Sequence, residues 1–278
     1  MLDRFVAITL ACVAAPCWAE PPGQHEPSVE CGTGQTPVPA EKAIPDCTHL
    51  IEAGGAVPKV LAGYYETRGS AHRFLGHLMD ALSDYDAALR IAPTDYYALM
   101  GRGLTLTAIG DITAALSTYN KLITLNPSAE FPLHNRGNIY IEQKRYTLAM
   151  RDFNRMIALN PESYEGYNAR AWLRLILKQY PEALTDCDAA LKAFSGYDAA
   201  LDTRGLTHLL MKEYDQAIAD FNAALAIDSQ IASSLYARGI AKNLKSGAHA
   251  SGAADIAAAK QIDDNVAQGF AIFGLAAE

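Results

Sequence analysis

Leu99-Met100-Gly101-Arg102-Gly103-Leu104 returns thirty-four residues later as Leu133-His134-Asn135-Arg136-Gly137-Asn138. Its arginine recurs at the same interval along most of the chain, at Arg68, Arg102, Arg136, Arg170, Arg204 and Arg238. Each is followed by a small residue: Gly69, Gly103, Gly137, Ala171, Gly205 and Gly239. Three residues before each stands a bulky one: Tyr65, Leu99, Leu133, Tyr167, Leu201 and Leu235. Twelve residues after the small residue comes a second, at Ala81, Ala115, Ala149, Ala183 and Ala217. Four further on stand Tyr85, Tyr119, Phe153, Cys187 and Phe221. Pro93, Pro127 and Pro161 close three units, with Ser195 and Ser229 in the same place later. A fixed period of this length marks stacked units that cannot bury their apolar faces alone.

The spacing predicts two antiparallel helices per unit. A small residue in each lets the backbones approach, the bulky residue fills the space beside that contact, and proline stops the second helix. This register resembles the tetratricopeptide repeat, whose pattern sets a bulky residue, a small one, an aromatic and a closing proline at these spacings. The match runs through 62–95, 96–129, 130–163, 164–197 and 198–231. A sixth unit, 232–265, needs one extra residue near Ser246–Ser251 before Asp255-Ile256-Ala257-Ala258-Ala259 resumes the pattern. The resemblance implies an all-α fold, a right-handed α–α superhelix with an inner groove.

The ends are read separately. Residues 1–19 have the pattern of a secretory signal peptide: Arg4, an apolar run from Phe5 to Ala15, then Cys17-Trp18-Ala19 before a cut at Glu20. A lipid anchor at Cys12 and an uncleaved amphipathic start are the alternatives. Residues 20–41 read as a flexible leader, and 42–61 as a half-repeat in which Ala43-Ile44-Pro45-Asp46-Cys47 aligns with the second helix of a unit. If the signal is removed, Cys31, Cys47 and Cys187 remain. In an oxidising compartment Cys31 and Cys47 are the natural disulfide, closing a loop worth about 3 kcal/mol; two unrelated thiols are the alternative. Cys187 falls on a core position. Residues 266–278 are expected to cap the array, with a short helix from Asp264 to Leu275 laying Val266, Phe270 and Phe273 on the last hairpin. The helix around Cys47, the Arg-Gly repeats and the "ADIAAAK…FG" ending resemble a group of exported bacterial tetratricopeptide proteins. A periplasmic or secreted location, with no membrane span after signal cleavage, is therefore expected.

Composition narrows the function. The formal net charge is −8 and no Lys/Arg block occurs, which argues against a nucleic-acid partner. The seven histidines (His25, His49, His72, His77, His134, His208, His249) show no metal-ligand spacing, and no phosphate loop or nucleophile elbow is present. No catalytic residue, metal or cofactor is therefore expected. The arginines are the seventh residue of each unit, off the inner wall that the resemblance implies. Asp84, Asp152, Asp186, Asp220 and Asp255 recur at a matching level, so a structural Arg–Asp ladder is expected, with Arg102 re-paired or unpaired where Thr118 replaces Asp. The implied inner wall is the second, fifth, ninth, twelfth and thirteenth residue of each unit. It gives Tyr97, Met100, Leu104, Phe131, His134, Asn138, Asn168, Trp172, Leu175, Leu206, Leu209, Tyr236 and Ile240. These suit an extended or helical apolar segment of a protein or peptide partner, with Trp172 as the natural hot spot. The alternative is that they cover the chain's own leader or last helix. A non-enzymatic scaffold is the expected function; a self-assembling envelope subunit, and an enzyme or its accessory subunit, stand beside it.

Overall fold

A computed structural model describes Cys31 and residues 39–275, and all regular structure among these is helical. Two compact units divide the chain, one ending at Ile139 and the other continuing from Tyr140. The first holds α1 (Ala40–Ala53), α2 (Pro58–Phe74), α3 (Leu78–Ile91), α4 (Tyr96–Ile109), α5 (Ile112–Leu125) and most of α6 (Glu130–Glu142). The second holds α7 (Tyr146–Leu159), α8 (Tyr164–Ile176), α9 (Tyr180–Ala193), α10 (Asp198–Leu210), α11 (Tyr214–Ile227), α12 (Ala232–Ser246), α13 (Ala253–Ile262) and α14 (Val266–Ala271). Consecutive helices pack as antiparallel pairs: α2 on α3, α4 on α5, α8 on α9, α10 on α11 and α12 on α13. None of the described helices is long and apolar enough to cross a membrane.

The helices start and stop for local reasons. Asp95 and Asp111 accept from the backbone N–H groups of Ala98 and Ala114, and Ser163 from that of Gly166, each satisfying an orphan donor of a first turn. Pro58 opens α2, where its missing N–H costs nothing, so this helix begins four residues before the repeat boundary at 62. Helix-to-helix turns within hairpins place Gly76, Gly110, Lys144, Lys178 and Lys212 at φ +78°, +87°, +57°, +60° and +64°. These five stand thirty-four residues apart, a left-handed turn position that changes from glycine to lysine along the array.

The repeat's small and aromatic positions form the hairpin cores. Ala81, Ala115, Ala149, Ala183 and Ala217 are buried, as are Tyr85, Tyr119, Phe153, Cys187 and Phe221. A Cβ on Gly103 would stand 2.8 Å from the Tyr119 ring, and one on Gly205 2.8 Å from the Phe221 ring. No side chain fits between these backbones and rings. The hairpin with Cys187 in place of the aromatic is also the one with Ala171 in place of glycine, a volume exchange that keeps the contact filled.

Each end departs from the regular unit. α1 packs on α2, and Cys31 and Cys47 are both buried with Cα atoms 5.0 Å apart, a separation a disulfide spans. In the sixth hairpin α12 overruns to Ser246, and Gly247 turns the chain into a 3-10 turn at His249–Ser251. Gly252 then meets Gly239 so closely that a Cβ would fall 1.9 Å from the Gly239 carbonyl oxygen. Past α13, Val266 and Phe270 of α14 are buried in the core of the second unit. The stretch 1–19 expected to be a signal peptide and most of the expected leader lie outside the described residues.

Candidate functional site

The arginines are clamps between helices. Arg68, Arg170, Arg204 and Arg238 each donate through Nε and Nη2 to both oxygens of Asp84, Asp186, Asp220 and Asp255, at 2.7–2.9 Å. Their Nη1 groups reach back to Thr48, Asn154, Asp188 and Asn222 on the second helix of the preceding hairpin, at 2.7–2.9 Å. Such a planar fork joins three helices at once. Arg102 meets Thr118 in its own hairpin at 2.7 Å and takes its carboxylate from the preceding one, Asp86, at 2.7 Å. Arg136 donates to Asn120 at 2.6 Å, and Asp152 is buried. Although burial pushes the Asp255 carboxyl up, Arg238 and Lys242 hold it below its ordinary value.

The inner wall of the second unit is already covered. Leu175, Leu206, Leu209, Tyr236 and Ile240 are buried in one core with Val266 and Phe270. The Phe270 ring lies 5.0 Å from that of Tyr236, and Phe273 stands edge-on to half-buried Trp172 at 5.8 Å. Of the two readings of this wall, the Trp172–Phe273 and Tyr236–Phe270 contacts favour the one in which it covers the chain's own last helix. The physical reason is that a single hairpin cannot bury its apolar face alone, and Val266 and Phe270 pack on that of α12. Asn168 is buried beside the Tyr197 hydroxyl, with its Oδ1 unpaired.

In the first unit the wall is more open. Tyr97 is 54% exposed, and Met100, Leu104 and Phe131 are half-buried. Asn138 Nδ2 lies 3.5 Å from His134 Nδ1 on the same helix face. Burial lowers the His134 imidazole to about 4, so it is neutral at pH 7.

Two carboxylates on this register escaped the sequence reading. Glu66 and Asp202 are each the fifth residue of their unit, a wall position. Burial, with the Asp95 charge second, raises Glu66 to about 7. Asp202 is buried and accepts from Ser233 at 3.1 Å and from Ser234, and burial raises it to about 7. An acidic residue at a wall position was the available signal. Across the α2–α3 turn, His72, His77 and Asp80 each bring one donor atom within 4.8 Å of the other two, although their spacing matches no familiar ligand pattern.

Sequence profiles described as tetratricopeptide repeat match residues 67–130, 131–163 and 199–231. The chain carries tetratricopeptide repeats. The helical-hairpin solenoid agrees with solved structures. A tetratricopeptide repeat protein from Parabacteroides merdae is similar with TM-score 0.70 and 21% identity, over 84% of this chain and 92% of that one. A chain of the APC/C hetero-tetramer Cut9-Hcn1 also gives TM-score 0.70, at 16% identity, over 86% of this chain and 46% of that one. TTC0263, a thermophilic protein of this repeat type from Thermus thermophilus, gives 0.54 at 19% identity, over 63% and 98%. At these identities the likeness is one of fold. No curated protein matches the sequence.

Proposed function

We propose that this tetratricopeptide protein is a non-enzymatic scaffold that holds an apolar segment of a protein partner on the wall of its first unit. The observation that carries this reading is the contrast between the two walls. Leu175, Leu206, Leu209 and Tyr236 are no more than 2% exposed in a core that includes Val266 and Phe270, whereas Tyr97 is 54% exposed beside half-buried Met100 and Leu104. A wall of aromatic and Met side chains with one amide suits an extended or helical apolar ligand. Among the wall positions of the first unit Arg73 is the one Lys or Arg, so a clamp that grips a carboxylate with several of them is disfavoured. The test is affinity capture from an envelope fraction, comparing the mature protein with a Tyr97→Glu, Met100→Glu double variant. Partners retained by the first and lost by the second support the reading; identical captures overturn it.

The reading includes export to the periplasm or beyond, with cleavage before Glu20 and a Cys31–Cys47 disulfide tying the leader to α1. It rests on the signal-like start and on the 5.0 Å Cα separation of the two cysteines. Intact mass of the protein from a native host, alkylated with and without reduction, checks both at once. An uncut N-terminus, or alkylation of three thiols without reduction, would sink it.

A further inference from the structure

The turn between α2 and α3 gathers three metal-ligating side chains at one spot. His72 lies in the last turn of α2, His77 is the residue before α3 and Asp80 lies in the first turn of α3. Their backbone geometry is fixed. Gly76 takes φ +78°, the His77 N–H donates to the His72 carbonyl at 2.8 Å, and the Gly76 N–H donates to that of Arg73 at 3.0 Å. This is the double hydrogen bond of a helix-ending glycine turn, and it holds the five-residue spacing of the two imidazoles rigidly. The His77 side chain makes no capping bond to α3.

A sister hairpin in the same chain shows how the equivalent imidazole is satisfied there. His208 and Glu213 occupy the positions of His72 and His77, one hundred and thirty-six residues on. His208 Nε2 stands 3.8 Å from Asp220, and its Nδ1 is paired with Glu213 at 2.7 Å. His72 Nε2 stands 4.0 Å from Asp84 in the same manner, but its Nδ1 is buried with no hydrogen-bond partner. The carboxylate that satisfies the ring in one hairpin is replaced in the other by a second imidazole. A buried orphan nitrogen of this kind calls for a partner.

We propose that His72, His77 and Asp80 bind one divalent transition-metal ion of the zinc type. Two imidazoles and a carboxylate are borderline ligands suited to Zn²⁺, and three protein ligands leave a further position for water. The donors now lie within 4.8 Å of one another. His77 and Asp80 are exposed, so their side chains have room to rotate toward bonds of roughly 2.0–2.2 Å. Asp84, anchored by the Arg68 fork at 2.7 Å, stands behind the His72 Nε2 and orients the ring.

The experiment uses full-length untagged protein stripped with a chelator and titrated with ZnCl₂ by calorimetry. Saturable binding of one equivalent is expected, with His77→Ala and Asp80→Asn each weakening it roughly ten-fold or more. His208→Ala, at the carboxylate-paired sister position, should leave it unchanged. Both His77 and Asp80 are exposed, so far-UV circular dichroism of their variants should match the parent. Absence of one-to-one binding, or unchanged affinity in the His77→Ala protein, overturns the site.

Discussion

Phe273 stands edge-on to Trp172, ring centroids 5.8 Å apart, so the C-terminal segment sits on the very side chain that a partner would be expected to seek. Phe270, one turn earlier, is 1% exposed and lies against Tyr236. The tail of this chain is thus part of its core.

Phe270→Ala should lower stability by about 3–5 kcal/mol, the range for emptying an aromatic from a packed core. Phe273→Ala should cost less, its ring being half-buried, with an aromatic pair term of about 0.5–1.5 kcal/mol in a double-mutant cycle with Trp172. Thermal melts measure both. Trp172 emission should shift to the red in the Phe273 variant, and unchanged emission would contradict the contact.

The arginine ladder should not be uniform. Arg204→Ala leaves Asp220 buried without its fork, and about 2–4 kcal/mol is expected, below the full buried-pair range because the guanidinium is 26% exposed. Arg102→Ala loses only a bond to Asp86, 43% exposed, and one to the Thr118 hydroxyl, so about 1 kcal/mol is expected. Equal losses in urea melts would show that the buried carboxylate is not what sets the cost.

Lys144, Lys178 and Lys212 hold left-handed backbone where Gly76 and Gly110 stand earlier. A side chain in that conformation costs about 1–2 kcal/mol, partly offset by the greater chain entropy of unfolded glycine. Lys178→Gly should therefore raise stability by about 0.5–1 kcal/mol, and Gly110→Ala should lower it by a similar amount. Denaturant midpoints of the two variants should move in opposite directions.

The buried Asp202 predicts a pH window. Its carboxyl is raised from 3.8 to about 7, so between these values the folded chain binds more protons than the unfolded one. Stability contributed by this group is then largest at low pH and falls as pH rises toward 7. Asp202→Asn should abolish that fall, leaving the variant more stable by up to a few kcal/mol at pH 8 and little different near pH 4. Parallel stability–pH curves for the two proteins would refute the assignment.

Much of this was legible beforehand. Tyr85, Tyr119, Phe153 and Phe221 could be placed in the cores because each hairpin contact is made within a few dozen residues, at an interval the chain repeats. The arginine ladder was legible for the same reason, the partner standing sixteen or seventeen residues ahead. Lys178 was not recognised as a left-handed turn, since lysine carries no turn signal and only register with Gly76 and Gly110 reveals it. His72, His77 and Asp80 span nine residues yet match no familiar ligand spacing, because the turn and not a helix face joins them.

By itself the sequence determined the hairpins, their period and their packing, since these follow from local periodicity and short-range contacts. Only the tertiary structure decided what the inner wall meets. Trp172, Leu206 and Tyr236 have the same apolar character whether they face water, a partner or their own chain. The choice depends on where a segment from Val266 to Leu275 folds back, and a contact from Phe273 to Trp172 crosses about 100 residues. Burial of Asp202, and with it the rise of its carboxyl to about 7, is decided in the same way, by neighbours brought together in space.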